Sequence, residues 1–187
     1  FIHNNLNSSE PGDTKPYRNT ILQSLTAKYQ HRGLKAILRG LYTISLNGAK
    51  LGEGGHDFHR FSPSVSLSYQ LSARPLLHVR ASYKNIFRVP NFTELYFRHY
   101  GSNDLQPENT DQLNVGATWQ QDYCASGRFT LTLDGYLNHI KDKIVAVPFS
   151  MFMWSNINMG KVRTLGADIT LCVEQRLNAR HRLRFDG

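Results

Sequence analysis

Residues 61–71 read FSPSVSLSYQL, so every second side chain from Phe61 to Leu71 is apolar and those between them are polar. This period of two is typical of a β-strand, because successive side chains of a strand point to opposite faces. The stretch therefore predicts a strand with one apolar face. After a short break at residues 72–74 the alternation resumes over residues 77–84, which predicts a hairpin.

The same alternation recurs on both sides of this hairpin. Residues 113–120 and 129–136 predict a second hairpin. A third hairpin begins with residues 164–173 and starts its return at 181–185. Upstream, residues 21–29 and 34–46 predict an earlier hairpin. Seven strands and the start of an eighth are thus predicted. The predicted fold class is all-β, an antiparallel up-and-down meander.

The predicted connections alternate between short and long. The turns near residues 31, 73 and 178 are tight and the one near 124 is moderate, whereas the connections 47–60, 87–111 and 147–160 are long. Outer-membrane barrels sort their loops in this way and have alternating strands of about ten residues. The pattern predicts a partial section of a transmembrane outer-membrane β-barrel with its apolar face toward lipid. A soluble two-sheet sandwich stays open from the pattern alone.

Aromatic residues near the predicted strand ends favour the barrel. They are Tyr83, Trp119, Phe129, Tyr136 and Phe149. In transmembrane barrels such side chains form girdles at the two membrane interfaces. In a sandwich, each would be a core residue.

Composition narrows the function classes. A length of 187 residues suits one domain, and 40% hydrophobic residues with a mean hydropathy of −0.43 exclude disorder and helical membrane spans. The net charge of +8 comes from scattered Lys and Arg, so no nucleic-acid partner is expected. Cys124 and Cys172 are too few for a disulfide framework or a zinc site. Because the chain lacks a signal peptide and does not begin with Met, we expect a section of a longer protein.

Two sequence boxes carry a family resemblance. Residues 83–96 read YKNIFRVPNFTELY and residues 101–108 read GSNDLQPE. This resembles the TonB-dependent outer-membrane receptors, whose barrels carry a Phe-Arg-Ala-Pro box, a Glu-Leu-Tyr continuation and an Asn-Pro-Asn-Leu-x-Pro-Glu box; Val89, Ser102 and Asp104 are mild departures. Residues 134–144 and 154–168 resemble the strand, loop and return strand that follow, so the resemblance covers roughly residues 60–175. The short insert between the boxes is most similar to the cobalamin-receptor branch.

The resemblance implies that residues 1–187 are a partial β-barrel domain, with the N-terminal plug and the remaining strands of a barrel of about 22 strands absent. It implies a receptor in the Gram-negative outer membrane that imports a large scarce nutrient, cobalamin first, with haem or an iron siderophore as alternatives. The implied partners are the TonB energy-coupling complex, through the absent N-terminal segment, the cobalamin or iron chelate, and outer-membrane lipid. A surface lipoprotein is a further candidate partner. A secreted β-sandwich binding module is the alternative of another class.

The boxes supply residues with a predicted structural role at the stems of the long loop: Phe87, Arg88, Pro90, Asn103, Leu105, Pro107 and Glu108. Pro90 ends a strand because proline lacks a ladder donor and biases the preceding residue to extended geometry. Arg88 is expected to pair with an acidic partner such as Glu94 or Glu108, since Arg–carboxylate forks often set loop geometry.

Substrate-binding candidates lie in the long loops and are Tyr96, Phe97, Arg98, His99, Tyr100, Met153 and Trp154. Haem receptors of the resembled family have a histidine between comparable boxes that can ligate iron, and His99 has that position; the alternative is a solvated loop histidine. No metal site is predicted, because the His56 and His59 pair lacks a convergent third ligand. Nor is a cofactor or catalysis expected, since the nucleophile elbow, phosphate loop and dinucleotide fingerprint are missing.

Overall fold

A computed structural model describes residues 1–6, 15–50, 55–96, 102, 104–124, 126–148, 151, 154–177 and 181–187, with Cys124 and Arg182 described by their backbone. The strands are β1 (Ile2–Asn5), β2 (Pro16–His31), β3 (Leu34–Ala49), β4 (Phe58–Ala73), β5 (Leu76–Arg88), β6 (Glu108–Cys124), β7 (Gly127–Pro148), β8 (Trp154–Arg176) and β9 (Arg182–Asp186). A short helix, α1 (Phe92–Tyr96), lies between β5 and β6. Among these residues, no helix is both long and apolar enough to cross a membrane.

The strands form one sheet in sequence order, β1 to β9, and every neighbouring pair is antiparallel. The meander predicted from the sequence is therefore confirmed. The sandwich alternative is wrong for the described residues, because it needs two separate sheets packed face to face. The short turns all lie at one end of the sheet. The connections of β3 to β4, β5 to β6 and β7 to β8 lie at the other, which we call the long-connection end.

The strands are longer than the alternation predicted, and two predictions need correction. The expected long connection 147–160 is mostly strand, because β7 and β8 stay paired as far as Pro148 and Trp154. The strand β1, which pairs with Tyr17 to Thr20, was not predicted. It has four residues and a polar sequence, so it shows no apolar period. The strand count is accordingly nine.

One face of the sheet carries a continuous apolar band. It consists of the odd-numbered residues 77–83 of β5, 113–119 of β6, 129–137 of β7 and 165–173 of β8, which face the same way because the register pairs odd with odd. Leu165 and Ile169 in this band are 77% and 72% exposed. Large apolar side chains in water would be costly, so this face requires an apolar environment.

Aromatic residues divide between the two faces. Trp119 and Phe129, near the short-turn end of the apolar band, pack edge to face with ring centroids 5.4 Å apart. Tyr136 does not have the girdle position predicted for it, since it lies in the middle of β7 and pairs with Gly166 on the even-numbered face. Its ring covers the place that a side chain at Gly166 would take. Phe149 lies outside the described residues.

The even-numbered face is polar and is linked across strands. Arg80 donates two hydrogen bonds of 2.6 Å to the carboxylate of Asp134, two strands away, and one of 2.9 Å to Thr118. The guanidinium reaches Asp134 because Gly116 lies between them, where a Cβ atom would contact Arg80 Nε at 2.9 Å. The sheet therefore has one face suited to lipid and one suited to water.

Candidate functional site

The connection from β5 to β6 begins with a capped helix. Asn91 Oδ1 accepts a 2.7 Å hydrogen bond from the Glu94 backbone N–H, and Glu94 Oε2 accepts one of 2.8 Å from the Asn91 backbone N–H. This reciprocal pair is a capping box, which satisfies two donors at the start of α1. The sequence contains the signal, an Asn three residues before a Glu and directly after Pro90, although no helix was predicted there.

Arg88 joins both ends of this connection. Its Nε donates a 2.8 Å hydrogen bond to Glu108 Oε2, and its Nη1 lies 3.0 Å from each carboxylate oxygen of Glu94. Glu108 Oε1 accepts a 2.8 Å hydrogen bond from the Ile144 backbone N–H and lies 3.3 Å from Lys143 Nζ. The pairing expected of Arg88 is present with both carboxylates. We call Arg88, Glu94, Glu108 and Lys143 the Arg88 network.

The charges of the Arg88 network stabilise one another. The hydrogen bond from Arg88 is the largest cause that lowers the pKa of Glu108 to about 2, while burial acts in the opposite direction and the Ile144 N–H supports the lowering. The same hydrogen bond raises the pKa of Arg88. The pKa of Glu108 is therefore lower in the folded protein than its ordinary value of 4.5. The ionised carboxylate contributes its full stabilisation of the fold above pH 4.5, and this stabilisation is lost as the pH falls toward about 2.

We expect the β5–β6 connection to loosen in acid. A nitroxide label on Asp104→Cys, in the full-length protein with Cys124→Ser and Cys172→Ser, should become more mobile as pH falls from about 4.5 to about 2, because protonated Glu108 loses its charge-assisted bonds. Glu108→Gln is the control, and its label should show no mobility change over this range. A wild-type spectrum that is constant across the range would contradict this account.

Two asparagines of β8 hold the same connection from the other side. Asn156 Nδ2 donates a 3.1 Å hydrogen bond to the Glu94 carbonyl. Asn158 Oδ1 accepts one of 2.7 Å from the Gln106 N–H, and its Nδ2 donates to the carbonyls of Gln106 at 2.9 Å and Asp142 at 2.7 Å. An asparagine side chain has two donors and one acceptor oxygen, so it can replace the backbone partners that an irregular segment lacks.

A small apolar centre completes the packing. Leu95, Leu105 and Ile144 are buried together, and Tyr96 packs against them. Burial is the main reason why the pKa of the Tyr96 hydroxyl is raised. Helix α1 and the segment before β6 are thus fixed on the long-connection end of β7 by apolar contacts as well as by the Arg88 network.

Arg18 of β2 is a functional candidate that the sequence did not reveal. It is 8% exposed, its Nε donates a 2.5 Å hydrogen bond to Asn47 Oδ1, and its Nη1 donates one of 2.8 Å to the Pro90 carbonyl. The guanidinium carbon lies 5.0 Å from the centre of the Phe92 ring, a cation–π distance. Burial lowers the pKa of Arg18. No local pattern marks a contact between positions 18 and 90.

The structure places several predicted residues around this site. Phe87 packs against Phe58 with ring centroids 6.4 Å apart, Pro90 is fully buried, Leu105 lies in the apolar centre, and Pro107 precedes β6. Tyr96 is half-buried in α1, whereas Trp154 opens β8 and is 54% exposed. Six candidates lie outside the described residues, namely Phe97, Arg98, His99, Tyr100, Asn103 and Met153.

Comparison with known proteins decides the family. The family model described as "TonB dependent receptor-like, beta-barrel" matches residues 26–186. The chain belongs to the TonB-dependent receptor β-barrel family.

A solved structure resembles this TonB-dependent receptor barrel in fold. It is the copper transporter OprC, with a TM-score of 0.66 and 16% sequence identity over 89% of this chain and 28% of that chain. The chain therefore spans less than a third of the length of that protein, and the likeness concerns the fold alone. Among the described residues, no group of three His, Cys, Asp or Glu could hold a metal ion.

Proposed function

We propose that the intact protein is a receptor of the Gram-negative outer membrane that imports a large scarce nutrient, with cobalamin as its substrate. The family match over residues 26–186 supports a receptor of this class, and the choice of cobalamin rests on the sequence resemblance alone. In such a receptor the apolar band faces outer-membrane lipid and the even-numbered face lines the barrel interior. Import would be energised by the TonB complex through an N-terminal segment outside this chain, and a surface lipoprotein is a further proposed partner.

Two features of the long-connection end support the proposal that the receptor binds a large ligand. Its α1 segment is fixed by the Arg88 network and by Asn156 and Asn158, so a binding surface built on it loses little conformational entropy when ligand arrives. Tyr96 on α1 and the exposed Trp154 on β8 offer aromatic surface. Aromatic side chains provide a large contact area for a macrocycle such as a corrin or porphyrin.

We prefer cobalamin over haem and iron siderophores because, by its sequence, the short stretch between the two boxes resembles that of cobalamin receptors. Copper, the cargo named for OprC, is not adopted because the resemblance to that protein is one of fold. Haem is the alternative with a distinct chemical test, since it would use His99 as an iron ligand.

Growth on single nutrients tests the proposed substrate. We expect a receptor-null strain that expresses the full-length protein to grow on limiting cobalamin, and His99→Ala to leave this growth unchanged. Cobalamin already carries a nitrogen ligand on its cobalt, so the imidazole would add nothing. Growth on haem that is abolished by His99→Ala would contradict the cobalamin proposal and establish haem instead.

A further inference from the structure

The apolar band ends along a single line of the sheet register. Tyr83, Leu113, Leu137 and Leu165 lie opposite one another on four strands and form its last row toward the long-connection end. The next outward row is polar throughout and contains Asn85, Asp111, His139 and Arg163, again directly opposite one another. In the assembled barrel this line is the boundary between hydrocarbon and lipid headgroups on the extracellular side.

Basic residues face each other across β7 and β8 just beyond this line. His139 lies opposite Arg163, and Lys141 lies opposite Lys161. Lys141 and Lys161 are directly opposed like charges, which destabilise a sheet because their Cβ atoms are about 5 Å apart. Within the described part of the chain, the side chains of Lys161 and Arg163 make no hydrogen bond or ion pair. We therefore expect these basic side chains to bind an anion from outside the chain, which would neutralise their charge.

The acidic residue beside this group is already engaged. Asp111 Oδ1 accepts hydrogen bonds of 2.7 Å from the Tyr83 hydroxyl and 2.8 Å from Asn85 Nδ2. Its other carboxylate oxygen lies 4.0 Å from Lys141 Nζ, at the outer limit for an ion pair. Of the three cations, Lys141 alone therefore has a contact with this carboxylate, and that contact is weak.

An apolar groove lies directly below the basic residues. It has a volume of about 620 Å³ and lies over Gly135, with walls formed by Leu113, Val115, Leu137, Leu165 and Ala167. The groove exists because Gly135 has no side chain; a Cβ atom there would meet nothing closer than 3.9 Å. An apolar channel beneath a basic group matches the two parts of a lipid, an acyl chain and an anionic headgroup.

We propose that this outward face binds one lipid of the outer leaflet that carries a phosphorylated, anionic headgroup. Its acyl chain lies in the groove over Gly135, and its phosphate contacts Lys141, Lys161 and Arg163. The phosphate supplies the counter-charge that the opposed cations require, and the glycine admits the chain close to the sheet. The inference rests on the orientation of the barrel and is independent of the imported substrate.

Native mass spectrometry of the full-length receptor tests this binding. Diphosphoryl lipid A would be titrated against zwitterionic phosphatidylethanolamine, and we expect wild type to prefer lipid A. The triple variant Lys141→Gln, Lys161→Gln, Arg163→Gln should bind lipid A at least about tenfold more weakly. The matched control is Lys28→Gln, Lys35→Gln, Lys84→Gln, which removes three cations from the opposite face and should bind like wild type.

A second variant tests the groove separately. Gly135→Leu fills the groove without a steric contact in the sheet, so it should keep the heat-modifiable barrel form and weaken lipid A binding by about tenfold. Unchanged binding in the triple variant, or an equal loss in its control, would overturn the proposal. Full binding by Gly135→Leu would overturn the placement of the acyl chain.

Discussion

Leu133→Arg in the full-length receptor is expected to destabilise the barrel by about 2–4 kcal/mol, the cost of a cation on the lipid face near the bilayer midplane. Leu133 is the central residue of the apolar band on β7 and is 45% exposed within the chain. The band on β7 runs from Phe129 to Leu137, eight steps that rise about 20 Å in a strand tilted by about 40°. This height approaches the apolar band of about 25 Å found in outer-membrane barrels.

Thr132→Arg is the matched control for this prediction. Thr132 is adjacent in the chain and has its side chain on the even-numbered face, where its hydroxyl lies 3.3 Å from that of Thr118. A cation there would face the wet interior, so we expect a loss below about 1 kcal/mol. Stability would be compared through unfolding in urea with the barrel in lipid vesicles. Equal losses for the two variants would contradict the assignment of the faces.

Arg88→Ala is expected to cost about 1–3 kcal/mol and to release the β5–β6 connection. It leaves two carboxylates near each other, of which the Glu108 side chain is 7% exposed and retains Lys143 as its partner. Removal of one partner leaves a buried polar group unsatisfied, which costs more than the net value of the bond. We place the estimate below the loss of about 3–5 kcal/mol that is typical of a broken buried pair, because the Arg88 side chain is 40% exposed.

The control for Arg88→Ala lies on the same strand and the same face. Arg80→Ala also removes a two-bond contact to a carboxylate, but Arg80 and Asp134 are 45% and 39% exposed, so its loss should stay below about 1 kcal/mol. The double variant Arg88→Ala, Glu108→Gln should recover part of the loss, since the side chain at position 108, which is 7% exposed, then no longer carries a charge without Arg88 as its partner. The readout is the temperature at which the heat-modifiable form disappears from gels. If Arg80→Ala were the more damaging change, the Arg88 network would not be the anchor of the connection.

The alternation of the sequence predicted the faces and order of the strands because each outward residue meets lipid and each inward residue meets water. This prediction from alternation failed beyond the apolar band, where the two faces of the sheet no longer meet different surroundings. Residues 139–148 and 154–163 extend β7 and β8 beyond the apolar band, where both faces are wet and no apolar period is needed. The expected loop at 147–160 was wrong for this reason.

The candidate site was predicted where its contacts are close in sequence and missed where they are distant. Arg88 and Glu94 are six residues apart, and their charges together with Pro90 indicated a fixed loop stem. Arg18 reaches the Pro90 carbonyl over 72 positions, and Asn156 reaches Glu94 over 62. Such contacts depend on which strands become neighbours, and a single polar residue in a strand does not reveal its partner.

Uptake of labelled cobalamin by cells that carry the full-length protein tests the central proposal most directly. Cells with a functional TonB complex should accumulate cobalamin, whereas TonB-deficient cells should bind it at the surface and accumulate none. Accumulation that is equal in both strains, or absent in both despite a folded receptor in the outer membrane, would contradict the proposal of energised cobalamin import.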